Sequence, residues 1–150
     1  MIIIDTREKK CAHIEQYFKQ KGIEYKIQGL KIADYVNENN FYLRIDRKQN
    51  LDEVAMNLCT EDKIRFRKEC RNAQALGIHI IFLIEHGGKF KNIEDVKSWH
   101  SKYSKITGQM LMSEMLRIQL IFGHEFRFCD KRSTPRLIAE ILGDKRYDKR

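Results

Sequence analysis

The most apolar run of the chain covers residues 78–84, IHIIFLI, and only His79 interrupts it. The run is too short to cross a membrane as a helix, which takes about 20 apolar residues. A short strand that is apolar on both sides is typical of the centre of a sheet whose two faces are covered by helices. This segment therefore predicts a buried β-strand in the middle of an α/β protein.

Strand-like and helical patterns alternate along the rest of the chain, in the order β-α-β-β-β-α-β-α-β-α. Such interleaving is typical of a mixed β-sheet with helices packed against it. No repeat or Pro/Gly-rich linker divides the chain, so we predict one domain over residues 1–143 and a basic tail over residues 144–150. The predicted strands cover residues 2–5, 23–27, 30–36, 41–48, 78–84 and 126–129, and the predicted helices include residues 8–20, 51–58, 63–76, 93–99 and 108–122, with a last helix that begins at Thr134.

The chain carries a net charge of +8, from 29 Lys and Arg against 21 Asp and Glu, among 150 residues. An excess of this size favours an anionic partner, most commonly nucleic acid. The four cysteines and five histidines contain no CxxC, HExxH or HxH spacing, which argues against a zinc motif. The N-terminal residues do not follow the pattern of a secretory signal. We therefore expect an intracellular protein, cytoplasmic or nucleoid-associated, with no membrane partner.

Acidic residues occupy strand positions around a predicted hairpin. Asp34 lies at the entry to the hairpin, and Asp46 and Lys48 lie on its return strand. Asp5 ends the first strand. Carboxylates that converge across a hairpin require a cation between them, and oxygen ligands with few histidines favour Mg²⁺ or Mn²⁺ over zinc. The alternative is a set of solvent-facing strand residues, which an isolated D-x-K string would favour.

The stretches IIIDTRE, KIADYV, LRIDRKQNLD, RFRKE and IFLIE occur in this order, followed by TGQMLMSEMLRIQLIFG, EFRFCD and STPRLIAEIL. Together they resemble the nuclease domain of the XPF/Hef family of structure-specific endonucleases, over nearly the whole chain. The resemblance implies a restriction-endonuclease-like three-layer sandwich, with a central mixed β-sheet flanked by helices. The family signature is Gly-Asp, a variable gap, Glu-Arg-Lys, three residues and Asp. Its places are taken here by Ala33-Asp34, Asp46-Arg47-Lys48 and Asp52.

The resemblance also implies a role for each residue around the hairpin. Asp34 and Asp46 would bind a Mg²⁺ or Mn²⁺ ion, with Asp5 close to the same ion. Lys48 would position the attacking water. Two departures stand out: Ala33 replaces the usual Gly, which tests whether the backbone can still turn as tightly, and Asp46 replaces a longer Glu.

Further residues follow from the same resemblance. Arg47 would lie near the scissile phosphate, unless its side chain points to the other face of the strand and acts structurally. Asp52 and Arg7 would complete the polar cluster. A basic run on the following helix is expected to contact the DNA backbone, with a solvated helix face as the alternative. Its members are Arg65, Arg67, Lys68 and Arg71.

These observations lead to one main hypothesis and two alternatives. We expect a metal-dependent endonuclease that hydrolyses phosphodiester bonds in branched DNA (flaps, forks or junctions), as a homodimer; its small size suits a phage-encoded enzyme. The alternatives are a non-catalytic DNA-binding partner subunit and a restriction-like duplex endonuclease. The family's helix-hairpin-helix module has no counterpart in this sequence. Trp99 and Tyr103 could stack on unpaired bases, but we expect both to be buried.

Overall fold

Residues 1–87 and 89–143 of the computed structural model build a mixed β-sheet between two layers of helices. The described strands are β1 (Ile2–Ile4), β2 (Tyr25–Ile27), β3 (Tyr35–Asn37), β4 (Asn40–Lys48), β5 (His79–Glu85) and β6 (Glu125–Cys129). The helices are α1 (Ala12–Lys21), α2 (Leu51–Leu58), α3 (Lys63–Ala75), α4 (Gly108–Phe122) and α5 (Thr134–Leu142), with a 3-10 helix over Ile93–Ser98.

The sheet has the strand order β2-β1-β3-β4-β5-β6. β1 is parallel to β2, β3 is antiparallel to both β1 and β4, and β4, β5 and β6 run parallel to one another. β5 therefore lies between two parallel strands, and its residues from Ile80 to Ile84 are all buried. This arrangement confirms the central strand and the three-layer α/β architecture that the sequence predicted.

Two hydrophobic clusters occupy the two sides of the sheet. On one side, α2, α3 and α4 pack against β5 and β6, and Phe82 lies 5.1 Å from Phe66 and 4.9 Å from Phe126 between ring centroids. On the other side, α1 and α5 cover the strands with buried residues such as Phe18 and Ile138. Each helix thus buries one apolar stripe against the sheet, which is the arrangement that stabilises an amphipathic helix in a domain of this kind.

The register of β4 against β5 decides which face each residue of the Asp46-Arg47-Lys48 segment occupies. Asp46 pairs with Phe82, whose side chain belongs to the cluster under α2, α3 and α4. Arg47 pairs with Leu83, which belongs to the cluster under α1 and α5. Because paired residues of neighbouring strands point to the same face, Asp46 and Arg47 project into opposite layers.

Two predicted boundaries differ from the structure by four residues or more, whereas the other predicted boundaries differ by at most two. The helix predicted from Glu8 begins at Ala12, because Lys10 has a φ of 54°, which lies outside the right-handed helical region. The strand predicted from residue 30 begins at Tyr35, because Ala33 has a φ of 63°. Neither backbone conformation can be deduced from side-chain periodicity.

The last described helix, α5, ends at Leu142, and the predicted basic tail over residues 144–150 lies outside the described residues. The division of the chain at residue 143 stays a prediction. In the part of the chain that the structure describes, no helix combines the length and the apolar composition needed to span a membrane.

Candidate active site

A polar cleft of about 350 Å³ opens where β1 ends, β3 begins and β4 ends. The antiparallel hairpin brings the start of β3 beside the end of β4, so residues that are far apart in the sequence meet at this edge. Six of the seven residues predicted for catalysis or metal binding line the cleft, and Asp52 does not. The six are Asp5, Arg7, Asp34, Asp46, Arg47 and Lys48.

Asp46 and Lys48 lie on the same face of β4, as the period of two predicts. The Nζ atom of Lys48 is 3.3 Å from Oδ1 of Asp46. The same Nζ lies 5.4 Å from the ring centroid of Phe66 on α3, and the Lys48 side chain is buried. The aromatic ring therefore covers the ammonium group from one side and leaves the cleft as its open direction.

The electrostatic surroundings keep Lys48 charged. Burial by itself lowers the pKa of the ammonium group, but the Asp46 and Glu53 carboxylates raise it by more, so that the pKa lies above its ordinary value. Lys48 is therefore protonated at neutral pH and acts as a hydrogen-bond donor in the cleft.

Asp34 is held in place by the main chain around it. Its N–H donates to the carbonyl of Ile45, its carbonyl accepts from the N–H of Asp5, and its Oδ2 accepts from the N–H of Arg47 at 2.9 Å. Burial, followed by repulsion from the Asp46 carboxylate, raises the pKa of Asp34 well above its usual range. The Asp46 carboxylate thus opposes the ionisation of Asp34 unless a cation lies between the two side chains.

The backbone before Asp34 turns sharply although Ala33 stands where the family has glycine. Ala33 adopts the left-handed conformation with a φ of 63°, the region in which glycine is normally found. The chain therefore adopts with an alanine a backbone conformation that favours glycine, at a cost of about 1–2 kcal/mol.

Asp5 follows β1, the strand that pairs with β3, and supports the site from there. The side chain is buried, its Oδ1 accepts from the N–H of Leu30 at 2.9 Å, and its Oδ2 accepts from Nε of Arg7 at 3.0 Å. Arg7 in turn donates to the carbonyl of Leu30 at 2.7 Å. Both carboxylate oxygens of Asp5 therefore have protein partners that hold the loop after β2 against the cleft.

Arg47 takes the structural alternative that the sequence left open. Its side chain is buried in the opposite layer, where it pairs with Glu8 at 2.9 Å and contacts Glu85. Glu85 also accepts from the Oγ1 of Thr134 at 2.7 Å and lies 3.0 Å from Nε2 of His13. This buried network joins β4 and β5 to both α1 and α5.

The first turn of α2 brings Glu53, rather than Asp52, to the cleft. Asp52 points away and accepts from the Oγ of Ser101 at 3.0 Å. Glu53 lines the cleft and accepts from the N–H of Gln49 at 3.0 Å, while its own N–H donates to the cap residue Asn50. Glu53 is not among the residues predicted from the sequence, although Asn50-x-x-Glu53 is a helix-capping pattern that indicates an ordered glutamate at this place.

The four basic residues predicted to contact DNA do not share one environment. Arg65 lines the cleft and pairs with Asp62 and Glu69. Arg67 pairs at 2.7 Å with Glu114 on α4. Lys68 and Arg71 are exposed on α3. The guanidinium of Arg71 lies over the ring of Phe122.

The donor set of the cleft suits a hard divalent cation. Among residues 1–87 and 89–143, no three His, Cys, Asp or Glu side chains form a ready-made metal cluster. Mg²⁺ is commonly bound through one or two carboxylates, with water and phosphate oxygens completing its coordination. The opposed carboxylates of Asp34 and Asp46 fit this pattern, and cation binding would relieve the repulsion that raises the pKa of Asp34.

The two aromatic residues that were expected to be buried differ. Trp99 is buried, at 8% exposure, which confirms the expectation. Tyr103 is 84% exposed, so the expectation was wrong for this residue. It lies in a loop whose conformation no periodic pattern specifies.

The ERCC4 domain matches residues 4–140 of the chain. The chain belongs to the ERCC4 domain family. This match confirms the nuclease family that the signature residues indicated, because it extends over nearly the whole of the described structure. No curated protein matches the sequence.

Solved structures similar to this ERCC4 domain include XPF from Aeropyrum pernix, with a TM-score of 0.70 and 15% sequence identity. The same protein in complex with DNA matches with a TM-score of 0.68, also at 15% identity. Each match covers 94% of this chain but 62% of the other. The likeness shows that the two proteins share a fold, and this chain spans about 62% of the length of the XPF chain.

Proposed function

We propose that this ERCC4 domain is a Mg²⁺- or Mn²⁺-dependent endonuclease that hydrolyses phosphodiester bonds in branched DNA. The observation that carries the proposal is the convergence of Asp34, Asp46 and Lys48 at the mouth of one polar cleft. A buried ammonium group beside two opposed carboxylates has no evident value for folding, because the pair must lose its hydration. The same arrangement suits a site that binds a cation, a phosphate and a water.

The residues of the cleft would divide the reaction between them. Asp34 and Asp46 would hold the metal ion, which would supply a Lewis acid for the phosphate and lower the pKa of a bound water. Lys48 stays protonated and donates a hydrogen bond that orients the attacking water. Asp5 would lie close to the same ion, and its own N–H keeps the main chain of Asp34 in position.

Basic side chains around the cleft support an anionic polymer as the substrate. Arg7, Lys9, Lys31 and Arg65 lie on the lining of the cleft beside the carboxylates. Lysines and arginines of this kind neutralise backbone phosphates without regard to sequence. The XPF structure from Aeropyrum pernix in complex with DNA supports DNA as the polymer, and the family supports branched DNA as the form that is cleaved.

The proposal is tested by cleavage of matched labelled substrates with Mg²⁺ or Mn²⁺: a linear duplex, a 3′ flap, a replication fork and a four-way junction. The variants are Asp46→Asn and Lys48→Met, each of which removes one charge with little change in shape. We expect the wild type to cleave branched substrates and each variant to lose about 100-fold or more in rate. Binding of the same substrates in a chelator should persist in both variants.

Controls of matched chemistry are available on the exposed surface. Glu140→Gln on α5 and Lys19→Met on α1 remove the same charges away from the cleft, and both should cleave as the wild type does. Binding without cleavage by the wild type would instead favour a non-catalytic partner subunit. Discrete bands from a long duplex would favour a restriction-like duplex endonuclease.

The family resemblance also leads us to propose that the protein acts as a homodimer. The support on the surface is a group of exposed apolar side chains at the end of α4 and at the adjacent end of α3. Leu120 is 86% exposed, Ile121 is 54% exposed and Leu76 is 61% exposed. A second copy of the chain would cover this group of side chains. Sedimentation of the Leu120→Glu variant tests the proposed dimer.

A further inference from the structure

A second pocket, of about 490 Å³, adjoins the first turn of α2. Gln49 and Glu53 line the cleft described above, whereas Asn50 and Asp52 line this second pocket. The two cavities therefore lie on either side of one helical turn. A DNA strand bound in the cleft would pass close to the second pocket.

The lining of this pocket is rich in flat side chains. Trp99 and Phe90 form its buried part, and the ring of His86 meets that of Phe90 at 5.1 Å between centroids. Tyr103 also lines the pocket while 84% of its surface remains exposed. An exposed aromatic ring beside an aromatic pocket provides a stacking surface for a planar ligand of the size of a nucleobase.

The loop that carries Tyr103 is fixed rather than free. His100 and Thr107 form an antiparallel bridge at its base, and the N–H of Ser101 donates to the carbonyl of Ile106 at 3.1 Å. The Oγ of Ser101 accepts from the N–H of Tyr103 at 3.1 Å. The ring is thus presented by a hydrogen-bonded loop, so little conformational entropy is lost when a ligand stacks on it.

Asp52 connects this loop to the active-site helix. Its Oδ1 accepts from the Oγ of Ser101 at 3.0 Å, which ties the loop to the first turn of α2. The other charged side chains of the pocket are Lys89 and Lys102. Two lysines against one carboxylate leave the charged side chains of the pocket with a net charge of +1. The pocket therefore combines aromatic rings with a small positive excess, a combination found in sites that bind single-stranded nucleic acid.

We propose that this pocket binds an unpaired nucleotide of the DNA substrate, with the base stacked on Tyr103 and the phosphate near Lys89 and Lys102. The inference rests on the proposed function and makes it more specific, because it names a single-stranded segment next to the scissile strand as part of what is recognised. Asp52 is then a positioning residue, which holds the stacking loop on the helix that borders the cleft.

The chain carries its own reporter for this site. Trp99 is the only tryptophan in the sequence and lines the pocket. A single-stranded oligothymidylate is titrated into a solution of the full chain, and binding is followed by Trp99 fluorescence. A metal chelator in the buffer prevents cleavage. We expect saturable quenching for the wild type and a loss of affinity of about 5- to 150-fold in Tyr103→Ala, the usual range for one stacked base. Tyr103→Phe keeps the ring and should bind as the wild type does.

The matched control is Tyr42→Ala, which removes another exposed tyrosine near the start of β4, at the end of the strand opposite the cleft. Unaltered affinity in Tyr103→Ala, or an equal loss in Tyr42→Ala, would overturn the proposal. An unchanged thermal midpoint in Tyr103→Ala would show that the variant is folded.

The titration and the cleavage assay together distinguish a failure of this proposal from a failure of the proposed function. If Asp46→Asn abolishes cleavage but Tyr103→Ala binds normally, the endonuclease stands and the nucleotide pocket fails. If Tyr103→Ala loses affinity but the wild type cleaves no substrate, the pocket stands and the endonuclease fails.

Discussion

The main-chain N–H of Arg47 donates a 2.9 Å hydrogen bond to the carboxylate of Asp34. The guanidinium of the same residue passes to the other face of the sheet and pairs with Glu8 and Glu85. Residue 47 therefore positions one carboxylate of the cleft through its backbone, while its side chain anchors β4 to the opposite helical layer. The geometry of the cleft depends in this way on a buried ion network that reaches from its lining to the opposite helical layer.

Removal of the Arg47 side chain should act on stability. Arg47→Met leaves the buried carboxylates of Glu8 and Glu85 without their cation, and we expect the free energy of unfolding to fall by about 3–5 kcal/mol. Denaturant unfolding measures this change. Arg136→Met, which breaks an exposed pair with Glu140 on α5, should cost less than about 1 kcal/mol. Full stability combined with lost cleavage in Arg47→Met would instead favour a role at the scissile phosphate.

Ala33→Gly should stabilise the protein. Glycine removes the strain of a left-handed alanine, although it also increases the entropy of the unfolded chain. We expect a net gain of about 0.5–1 kcal/mol in the free energy of unfolding, measured by denaturant titration. The same substitution at Ala139, inside α5, should lower stability by about 0.5–1 kcal/mol. A loss of stability at both positions would contradict the strain assigned to residue 33.

The pH dependence of Asp34 has a definite sign. Because its pKa is raised in the folded state, its contribution to stability is complete below the ordinary value of 3.8 and is lost as the pH rises through the raised pKa. In a chelator, Asp34→Asn should therefore become increasingly more stable than the wild type towards neutral pH. Added Mg²⁺ or Mn²⁺ should stabilise the wild type and have little effect on the variant.

Unfolding of both proteins between pH 4 and 8 measures this difference, with Glu140→Gln as a control for the loss of one exposed carboxylate. An advantage of Asp34→Asn that grows on acidification would have the opposite sign and would contradict a raised pKa.

Gly108→Ala should damage the structure beneath the second pocket. A Cβ at residue 108 would lie 2.0 Å from the carbonyl oxygen of Val96 and 2.4 Å from that of Trp99. We expect the free energy of unfolding to fall by about 3 kcal/mol or more. This is the upper end of the range for overpacking, because main-chain atoms must move. Thermal unfolding with Trp99 fluorescence measures it. Gly87→Ala meets no atom within 4 Å and serves as the control.

Self-association should depend on the end of α4. Leu120→Glu places a charge in the middle of the exposed apolar group, and we expect it to convert a dimer into a monomer in sedimentation experiments, since a charge buried at an interface without a partner is unfavourable. Ile27→Glu alters another exposed apolar residue, on the edge strand β2, and should leave the dimer intact. A wild type that sediments as a monomer at every concentration would exclude the dimer.

Local patterns predicted much of this molecule. The apolar run over residues 78–84 needs burial on both faces, so it could only become an inner strand. The period of two along β4 places Asp46 and Lys48 on one face whatever the rest of the fold may be, and their side chains are 3.3 Å apart. These features depend on spacing along a single element, which the sequence states directly.

Other features depend on partners that are distant in the sequence. The partners of Arg47 come from residues 8 and 85, and both oxygens of Asp5 are taken by residues 7 and 30. The motif does not specify the directions in which the side chains of Asp52 and Glu53 point. In the structure, Glu53 lines the cleft and Asp52 lines the second pocket. Tyr103 is exposed in a loop that is closed by a bridge between His100 and Thr107.

The sequence by itself determined the alternation of strands and helices and the family. It also determined that the carboxylates and the lysine of the candidate site lie on the hairpin. Only the tertiary structure decided which partners each carboxylate has, which basic residues face the cleft and where the second pocket lies. The physical reason is that periodicity specifies the face of an element on which a side chain lies. Burial, hydrogen-bond partners and the resulting pKa shifts arise only when separate elements pack together.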